Sequence, residues 1–237
     1  MQVDTSATPD WAQRFKQLAE QAKDSRLKAF YAQGAISGDT PLIDVPFVAL
    51  DFETTGLNAQ EDAILTIGLV PFSLKRIYCN GSAHWVVNPN RDLNEESVVI
   101  HGITDSDVKN APQLDEILEQ VLQALAGKVV VVHYKNIERQ FFNQALLNTI
   151  GEGIEFPVVD TLDIEWAIQH EQCKGWLNWL KRKKPASVRL GQSRERYGLP
   201  AYQPHHALTD ALATAELLQA QIQYNLSENA TISLILQ

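Results

Sequence analysis

The stretch FVALDFETTG, Phe47 to Gly56, places two carboxylates inside a run that is otherwise apolar. An apolar run of this length bounded by turn residues is typical of a buried β-strand. Because strand side chains alternate between two faces, Asp51 and Glu53 are predicted to point to the same side. Two like charges on one buried face repel each other, and a cation between them removes the repulsion. The pattern therefore suggests a magnesium or manganese site, although a strand end with solvated acids also fits it.

The composition is that of an ordinary globular protein. The chain has 237 residues, of which 45% are hydrophobic and 21% charged, which suits one compact domain with an extension. Its two cysteines, Cys79 and Cys173, form no CxxC pair, which argues against a structural zinc site and fits a reducing compartment. The first residues lack the apolar core of a signal peptide, and no run approaches the roughly 20 apolar residues of a membrane span. We therefore expect a cytoplasmic protein without membrane association.

The charge is distributed unevenly along the chain. The net charge is −9, yet the segment from Lys174 to Arg196 is strongly basic and contains Glu195 as its single acid. Such a segment is either a solvated face or a contact with a nucleic-acid backbone. Within it, Trp176 and Trp179 either stack on bases or pack in the core.

Hydrophobic periodicity predicts the order of the elements. One helix is predicted over residues 9–33, followed by the breaker-rich link GAISGDTP. Three strand-like runs follow, and further strands then alternate with helices, a pattern that predicts an α/β fold with a central mixed β-sheet flanked by α-helices. The predicted organisation is an N-terminal helical extension and linker over residues 1–44, a main domain over 45–225 and a C-terminal tail over 226–237.

Two further acids and a histidine lie at the edges of predicted helices. Glu138 falls in the first turn of the helix after the run VVVVH, and Asp210 falls in the first turns of the last helix. A carboxylate in either place also fits a capping role. His205 precedes Asp210 by five residues, and a lone histidine is more often structural. With Asp51 and Glu53, these residues nevertheless form a recognisable set of four acids and one histidine.

Four segments in chain order, DFETTG, IHGIT, HYKNIERQFF and HHALTDALATAEL, resemble the motifs of the DEDDh (DnaQ-like) exonuclease family. That family includes the proofreading epsilon subunit of bacterial replicative polymerases, ribonuclease T and the TREX enzymes. The resemblance runs from about Val45 to Tyr224 and implies a ribonuclease-H-like fold. It also implies two divalent metal ions, Mg²⁺ or Mn²⁺, and hydrolysis of single-stranded DNA or RNA from the 3′ end to 5′-mononucleotides. DNA is the favoured substrate and short RNA the second.

The resemblance assigns catalytic roles residue by residue. Asp51 would bridge both metal ions, while Glu53 and Asp210 would hold the ion that binds the attacking water. His205 would take the proton of that water as the general base. Glu138 would help to position the second ion.

The resemblance also implies a substrate site next to the first motif. Thr54, Thr55 and Gly56 would hold the terminal nucleotide, and Leu57 would wedge against the last base. His101 of the segment IHGIT would border the same pocket, although a packing role fits it equally well.

The second motif departs from the family pattern HNxxFD. The segment HYKNIE, His133 to Glu138, has Tyr134 in place of Asn, Ile137 in place of Phe and Glu138 in place of Asp. Glutamate keeps the charge but is one methylene longer, so we expect a slightly shifted helix start or a contact through water. The flanking Lys135 and Arg139 offer Glu138 an alternative ion pair.

Two alternatives follow from the sequence. The chain could be a catalytically weak or inactive nucleic-acid-binding module that keeps the exonuclease fold, although the presence of Asp51, Glu53, His205 and Asp210 favours the enzyme. The helical extension could dock a protein partner, although an apolar stripe such as Trp11 to Ala22 more often packs on its own domain.

Overall fold

The computed structural model describes residues 8–90, 102–173 and 185–237. The prediction for His101 lies outside the described residues, as do those for Trp176, Trp179 and the basic residues between 174 and 184. Within the described ranges, no helix has both the length and the apolar character that crossing a membrane requires.

The described elements follow the predicted order. The strands are β1 Phe47–Thr54, β2 Ile64–Ser73, β3 Arg76–Ile77, β4 Ala83–Val86, β5 Val129–Val132 and β6 Val158–Asp160. The helices are α1 Trp11–Gln21, α2 Ser25–Ala32, α3 Asp105–Lys109, α4 Leu114–Leu125, α5 Lys135–Ile150, α6 Thr161–Cys173, α7 Leu190–Arg196 and α8 Ala207–Asn225.

The strands form one mixed sheet, as the sequence predicts. The strand order is β3-β2-β1-β5-β6, and β4 also pairs with β2. Strand β2 runs antiparallel to β1, β3 and β4, whereas β1, β5 and β6 are parallel to one another. The carboxyl ends of the parallel strands therefore meet at one edge of the sheet, the edge at which open α/β sheets place their ligands. Asp51 and Glu53 lie at that end of β1, His133 follows β5, and Asp160 ends β6.

Helices α8 and α5 cover opposite faces of the sheet. Asp51 of β1 pairs with Gly68 of β2, and a Cβ at Gly68 would lie 2.2 Å from the carbonyl carbon of Ala207 in α8. Phe52 points to the other face because strand side chains alternate, and its ring packs edge to face on Phe142 of α5 with centroids 5.8 Å apart. The acids of β1 thus share their face of the sheet with α8.

The predicted single helix over residues 9–33 is wrong, because the chain turns between α1 and α2. The carboxylate of Asp24 accepts the backbone N–H groups of Arg26 at 2.8 Å and of Leu27 at 3.4 Å, which is an N-cap arrangement. The backbone N–H of Asp24 in turn donates to the carboxylate of Glu152 at 2.6 Å. A new helix therefore starts at this point, held by a residue that is distant in sequence.

The ends of the described chain pack in the same core as the central segment. Trp11 and Phe15 of α1 are buried in this core, and so is Ile235. Val158 of β6 and Gln237 exchange two backbone hydrogen bonds, at 2.9 and 3.1 Å. The apolar stripe of α1, on which the partner hypothesis depends, is thus buried within the chain, and a partner on this extension would have to use its polar side.

The substitution Gly68→Ala is expected to lower the free energy of unfolding by about 1–3 kcal/mol, the usual cost of overpacking. The added Cβ would meet the backbone of Ala207, so the start of α8 would have to move off the sheet. Urea titration measures the change. Gly191→Ala is the matched control, since a Cβ at Gly191 of α7 meets no atom within 4 Å and alanine favours a helix. Equal stability of wild type and Gly68→Ala would contradict the close approach.

Candidate active site

Three of the four predicted metal ligands converge. One carboxylate oxygen each from Asp51, Glu53 and Asp210 lies within 4.8 Å of the other two. Asp51 and Glu53 share a face of β1, and Asp210 reaches them from the first turn of α8. The pairing of β1 with β2 shifts register directly after Glu53, an irregularity that often re-aims side chains beside a site.

Glu138 lies in the first turn of α5 and is 2% exposed. Its Oε2 atom has no hydrogen-bond partner in the part of the chain that the structure describes. The neighbouring cations that could have paired with it are engaged elsewhere: Lys135 pairs with Asp163, and Arg139 donates to the backbone carbonyl of Gln237 at 2.7 Å. A buried carboxylate oxygen without a donor is costly, and a bound cation would satisfy it.

The acids of the site destabilise one another's charged forms. Burial raises the pKa of Asp51 well above its ordinary value, and the charges of Glu138, Asp210 and Glu53 add to the rise. Burial also raises the pKa of Glu138, and the charge of Asp160 adds to it. Glu138 therefore belongs electrostatically to the cluster, although its carboxylate lies outside the group of three. Such an all-oxygen, mutually repelling set fits a divalent cation.

His205 lies at the mouth of the cluster, directly before α8. Its backbone is left-handed, with φ at +68°, and its N–H donates to the carboxylate of Asp210 at 2.8 Å. The N–H of His206 donates to the same oxygen at 3.3 Å. Burial raises the pKa of Asp210, and the hydrogen bond from His205 and the charge of its ring oppose that rise. The carboxylate of Asp210 thus faces the other two candidate ligands, Asp51 and Glu53, and also holds the turn that carries His205.

The predicted substrate turn is held by an acid that the sequence analysis did not select. The Thr55 hydroxyl donates to the carboxylate of Asp62 at 3.0 Å, and a Cβ at Gly56 would lie 2.4 Å from the same carboxylate. The Thr54 hydroxyl donates to the Gly56 carbonyl at 2.6 Å. Leu57, the predicted wedge, is 84% exposed. Asp62 therefore fixes the turn on its buried side, while Leu57 projects into solvent.

A pair of histidines beside the site was also missed. The ring of His84 in β4 stacks on that of His206, with centroids 4.8 Å apart and planes inclined by 28°. His84 pairs with Gly68 across the sheet, so the two rings lie next to the start of α8. Burial lowers the pKa of His84, and the charge of His206 lowers it further. No motif in the sequence marks His84, because only strand pairing brings it to the site.

The described arginines near the end of the basic segment have structural contacts. Arg194 is 3% exposed and donates to the Ala213 carbonyl at 2.6 Å and to the Glu216 carboxylate at 2.7 Å. Arg196 pairs with buried Glu165 at 2.9 Å. Arg194 is therefore neither part of a solvated face nor a phosphate contact, the two interpretations of the basic segment. Its side chain fixes the chain before His205 to α8.

Comparison with known sequences supports the family assignment. The family model described as Exonuclease, RNase_T, matches residues 48–218. The DNA polymerase III subunit epsilon of Treponema pallidum is 31% identical over 185 residues, which are 78% of this chain and 80% of that subunit. The PolC-type DNA polymerase III of Thermotoga maritima is 31% identical over 182 residues, which are 77% of this chain. The match spans only 12% of the length of that polymerase.

Solved structures confirm the ribonuclease-H-like fold. Cell-death related nuclease 4 (CRN-4) superposes with a TM-score of 0.64 at 21% identity, over 79% of this chain and 66% of that one. The nuclease domain of 3′hExo, described as a DEDDh family member bound to rAMP, gives a TM-score of 0.61 at 16% identity. The superposition covers 76% of this chain and 92% of that domain. Exonuclease X in complex with 5′ overhanging duplex DNA gives a TM-score of 0.59 at 17% identity, over 80% of this chain and 99% of that one.

The extent of the family match decides the assignment. It begins at the second residue of β1 and ends within α8, so it contains both elements that carry the converging acids. The resemblance inferred from the four motifs is thereby confirmed. This chain belongs to the RNase_T exonuclease family, among the DnaQ-like 3′→5′ exonucleases.

Proposed function

We propose that this protein is a metal-dependent 3′→5′ exonuclease that hydrolyses the terminal phosphodiester bond of single-stranded nucleic acid and releases 5′-mononucleotides. The observation that carries the proposal is the convergence of the oxygens of Asp51, Glu53 and Asp210 within 4.8 Å. Glu138 extends this set: its buried Oε2 has no hydrogen-bond partner among the described residues, and its charge acts on Asp51. Membership of the exonuclease family supports the reaction class.

The residues of the site fit two divalent ions. All four candidate ligands are carboxylates, which suit Mg²⁺ or Mn²⁺, and we assign Asp51, Glu53, Asp210 and Glu138 to hold them. When bound, such a pair of ions stabilises the attacking and leaving oxygens of an in-line phosphoryl displacement. Because the Oε2 of Glu138 lacks a donor within the described ranges, it supports the assignment of Glu138 as a ligand despite the departure from the family aspartate.

The other residues of the site would position the substrate and move a proton. His205 is exposed next to Asp210, where its ring can accept the proton of the attacking water. Thr54, Thr55 and Gly56 would hold the terminal nucleotide, with exposed Leu57 against the last base and His101 as a further contact.

Single-stranded DNA is the favoured substrate in this proposal. Two relatives at 31% identity are named as DNA polymerase III proteins, whereas the rAMP in the 3′hExo structure keeps short RNA as the second candidate. The inactive binding module is the less favoured alternative, because all four acids and His205 are present. The cytoplasmic location remains a prediction from the sequence.

Degradation of 5′-labelled single-stranded DNA, with a matching RNA in parallel, tests the proposed activity. With Mg²⁺ or Mn²⁺, wild type is expected to give a ladder that shortens from the 3′ end, with DNA shortened faster. Asp51→Ala and added chelator should each abolish the ladder, because both remove the proposed metal site. Intact substrates with wild type in both metals would refute the enzyme and favour the binding module.

The neighbouring histidines provide a matched pair for the proposed base. His205→Ala is expected to lower kcat by about 10²–10⁴-fold, the usual contribution of general base catalysis, without weakening the binding of Mn²⁺. His206→Ala should have a much smaller effect on kcat, since its ring accepts the Thr209 N–H at 3.4 Å and stacks on His84. Equal losses of kcat in the two variants would argue against His205 as the base.

The stability of the metal-free protein should depend on Asp51 and on pH. Because the folded-state pKa of Asp51 is raised, its contribution to stability is fully present below the unfolded-state pKa and is lost as pH rises through the folded-state pKa. In chelator, the Tm of wild type should therefore fall relative to that of Asp51→Asn as pH rises from about 4. At neutral pH the variant should melt a few degrees higher, and Mn²⁺ should stabilise wild type far more. A variant that melts below wild type in chelator would contradict the repulsion.

A further inference from the structure

Helix α5 begins at a backbone position that is unfavourable for its residue. Tyr134, the N-cap, has φ +90° and ψ +71°, and its side chain makes no capping hydrogen bond. Left-handed backbone is uncommon for residues other than glycine, asparagine and aspartate. Asparagine, the residue of the family pattern at this position, tolerates it and is also a preferred N-cap. In this chain another group has to satisfy the free N–H groups of the first turn.

Asp160 at the end of β6 supplies that group. Its carboxylate accepts the backbone N–H of Tyr134 at 3.0 Å and that of Lys135 at 2.9 Å. It also accepts the N–H of Leu162 at 2.9 Å. Asp160 is 1% exposed and pairs with Val132 at the end of β5. A buried carboxylate on the sheet thus fixes the first turn of α5.

We propose that Asp160 is a positioning residue for the metal site. By capping α5 it sets where Glu138, in the same first turn, presents its carboxylate toward the charge cluster of Asp51. The proposal rests on the proposed function, since it assumes that the cluster binds divalent ions. It accounts for Tyr134 and Glu138 in place of the family residues: an external cap holds the helix start from which the longer side chain extends toward the cluster.

A purely electrostatic role for Asp160 is the competing explanation. Its charge raises the pKa of Glu138, so its loss would also reduce the negative charge near the ions. Two variants separate these roles. Asp160→Asn removes the charge, whereas Asp160→Glu keeps it but displaces the carboxylate by one methylene from the N–H groups of Tyr134 and Lys135.

The test is Mn²⁺ binding to the full chain by isothermal titration calorimetry, which does not require turnover. Capping predicts that both Asp160→Asn and Asp160→Glu raise the Mn²⁺ concentration for half-saturation by about tenfold, in the range seen when outer-shell partners of metal ligands are removed. Adding Tyr134→Asn to Asp160→Asn should recover only part of this loss, because an N-cap asparagine accepts the N–H of the second or third helical residue and not those of Tyr134 and Lys135.

Asp163→Asn is the matched control. Asp163 pairs with the side chain of Lys135 and accepts no backbone N–H of α5, so its loss should leave Mn²⁺ binding unchanged. Weakened binding in Asp163→Asn equal to that in Asp160→Asn would overturn the capping role in favour of charge. Wild-type binding of Mn²⁺ by Asp160→Glu would overturn it as well.

The result of the Mn²⁺-binding test of Asp160 can be separated from the result of the nuclease assay. A wild-type protein that binds Mn²⁺ but degrades neither DNA nor RNA would refute the exonuclease and leave the positioning test valid. Lack of Mn²⁺ binding by wild type would overturn both. If Asp160→Asn does not fold, Asp160→Glu gives the same comparison with Asp163→Asn, with weaker Mn²⁺ binding again expected of the Asp160 variant alone.

Discussion

The backbone contact between Gly68 and the start of α8 is the constraint on which the candidate site depends. Gly68 lies between Asp51 and His84 in the sheet, and only a residue without a side chain lets the backbone of Ala207 lie directly on the strand. This contact brings Asp210 within reach of the β1 carboxylates. A side chain in the same place would act as a spacer between the two halves of the acidic cluster, because packed interiors do not absorb such overlaps freely.

The cluster that results is unfavourable without a cation. Burial and mutual repulsion both raise the pKa of Asp51, and no donor in the described part of the chain reaches the buried Oε2 of Glu138. A protein keeps such an arrangement at a cost in stability, and functional sites are where that cost is usually found. The four acids belong to one family motif set, so the repulsion and the proposed metal binding are two aspects of the same geometry.

Residues beyond the family match contribute to holding this geometry. The match ends at residue 218. Beyond it, Gln237 exchanges backbone hydrogen bonds with Val158 of β6, and its carbonyl accepts a hydrogen bond from the side chain of Arg139 in α5. Tyr31 of α2 accepts the N–H of Glu155, just before β6. The two ends of the described chain therefore brace β6 and α5, which carry the proposed cap and the fourth acid.

The sequence alone determined the faces and the order of the elements. Strand alternation placed Asp51 and Glu53 together, and the motifs that resemble the exonuclease family singled out Glu138 and Asp210 at predicted helix starts. Only the tertiary structure decided which distant groups hold the elements of the site. Asp160 caps α5, His84 stacks on His206, and Arg194 binds to α8. It also divided the predicted helix over residues 9–33, where Glu152 fixes the turn. Periodicity reports the environment of a residue along its own element. The partners in these hydrogen bonds and ring contacts are 19 or more residues apart, and strand pairing and helix packing alone bring them together.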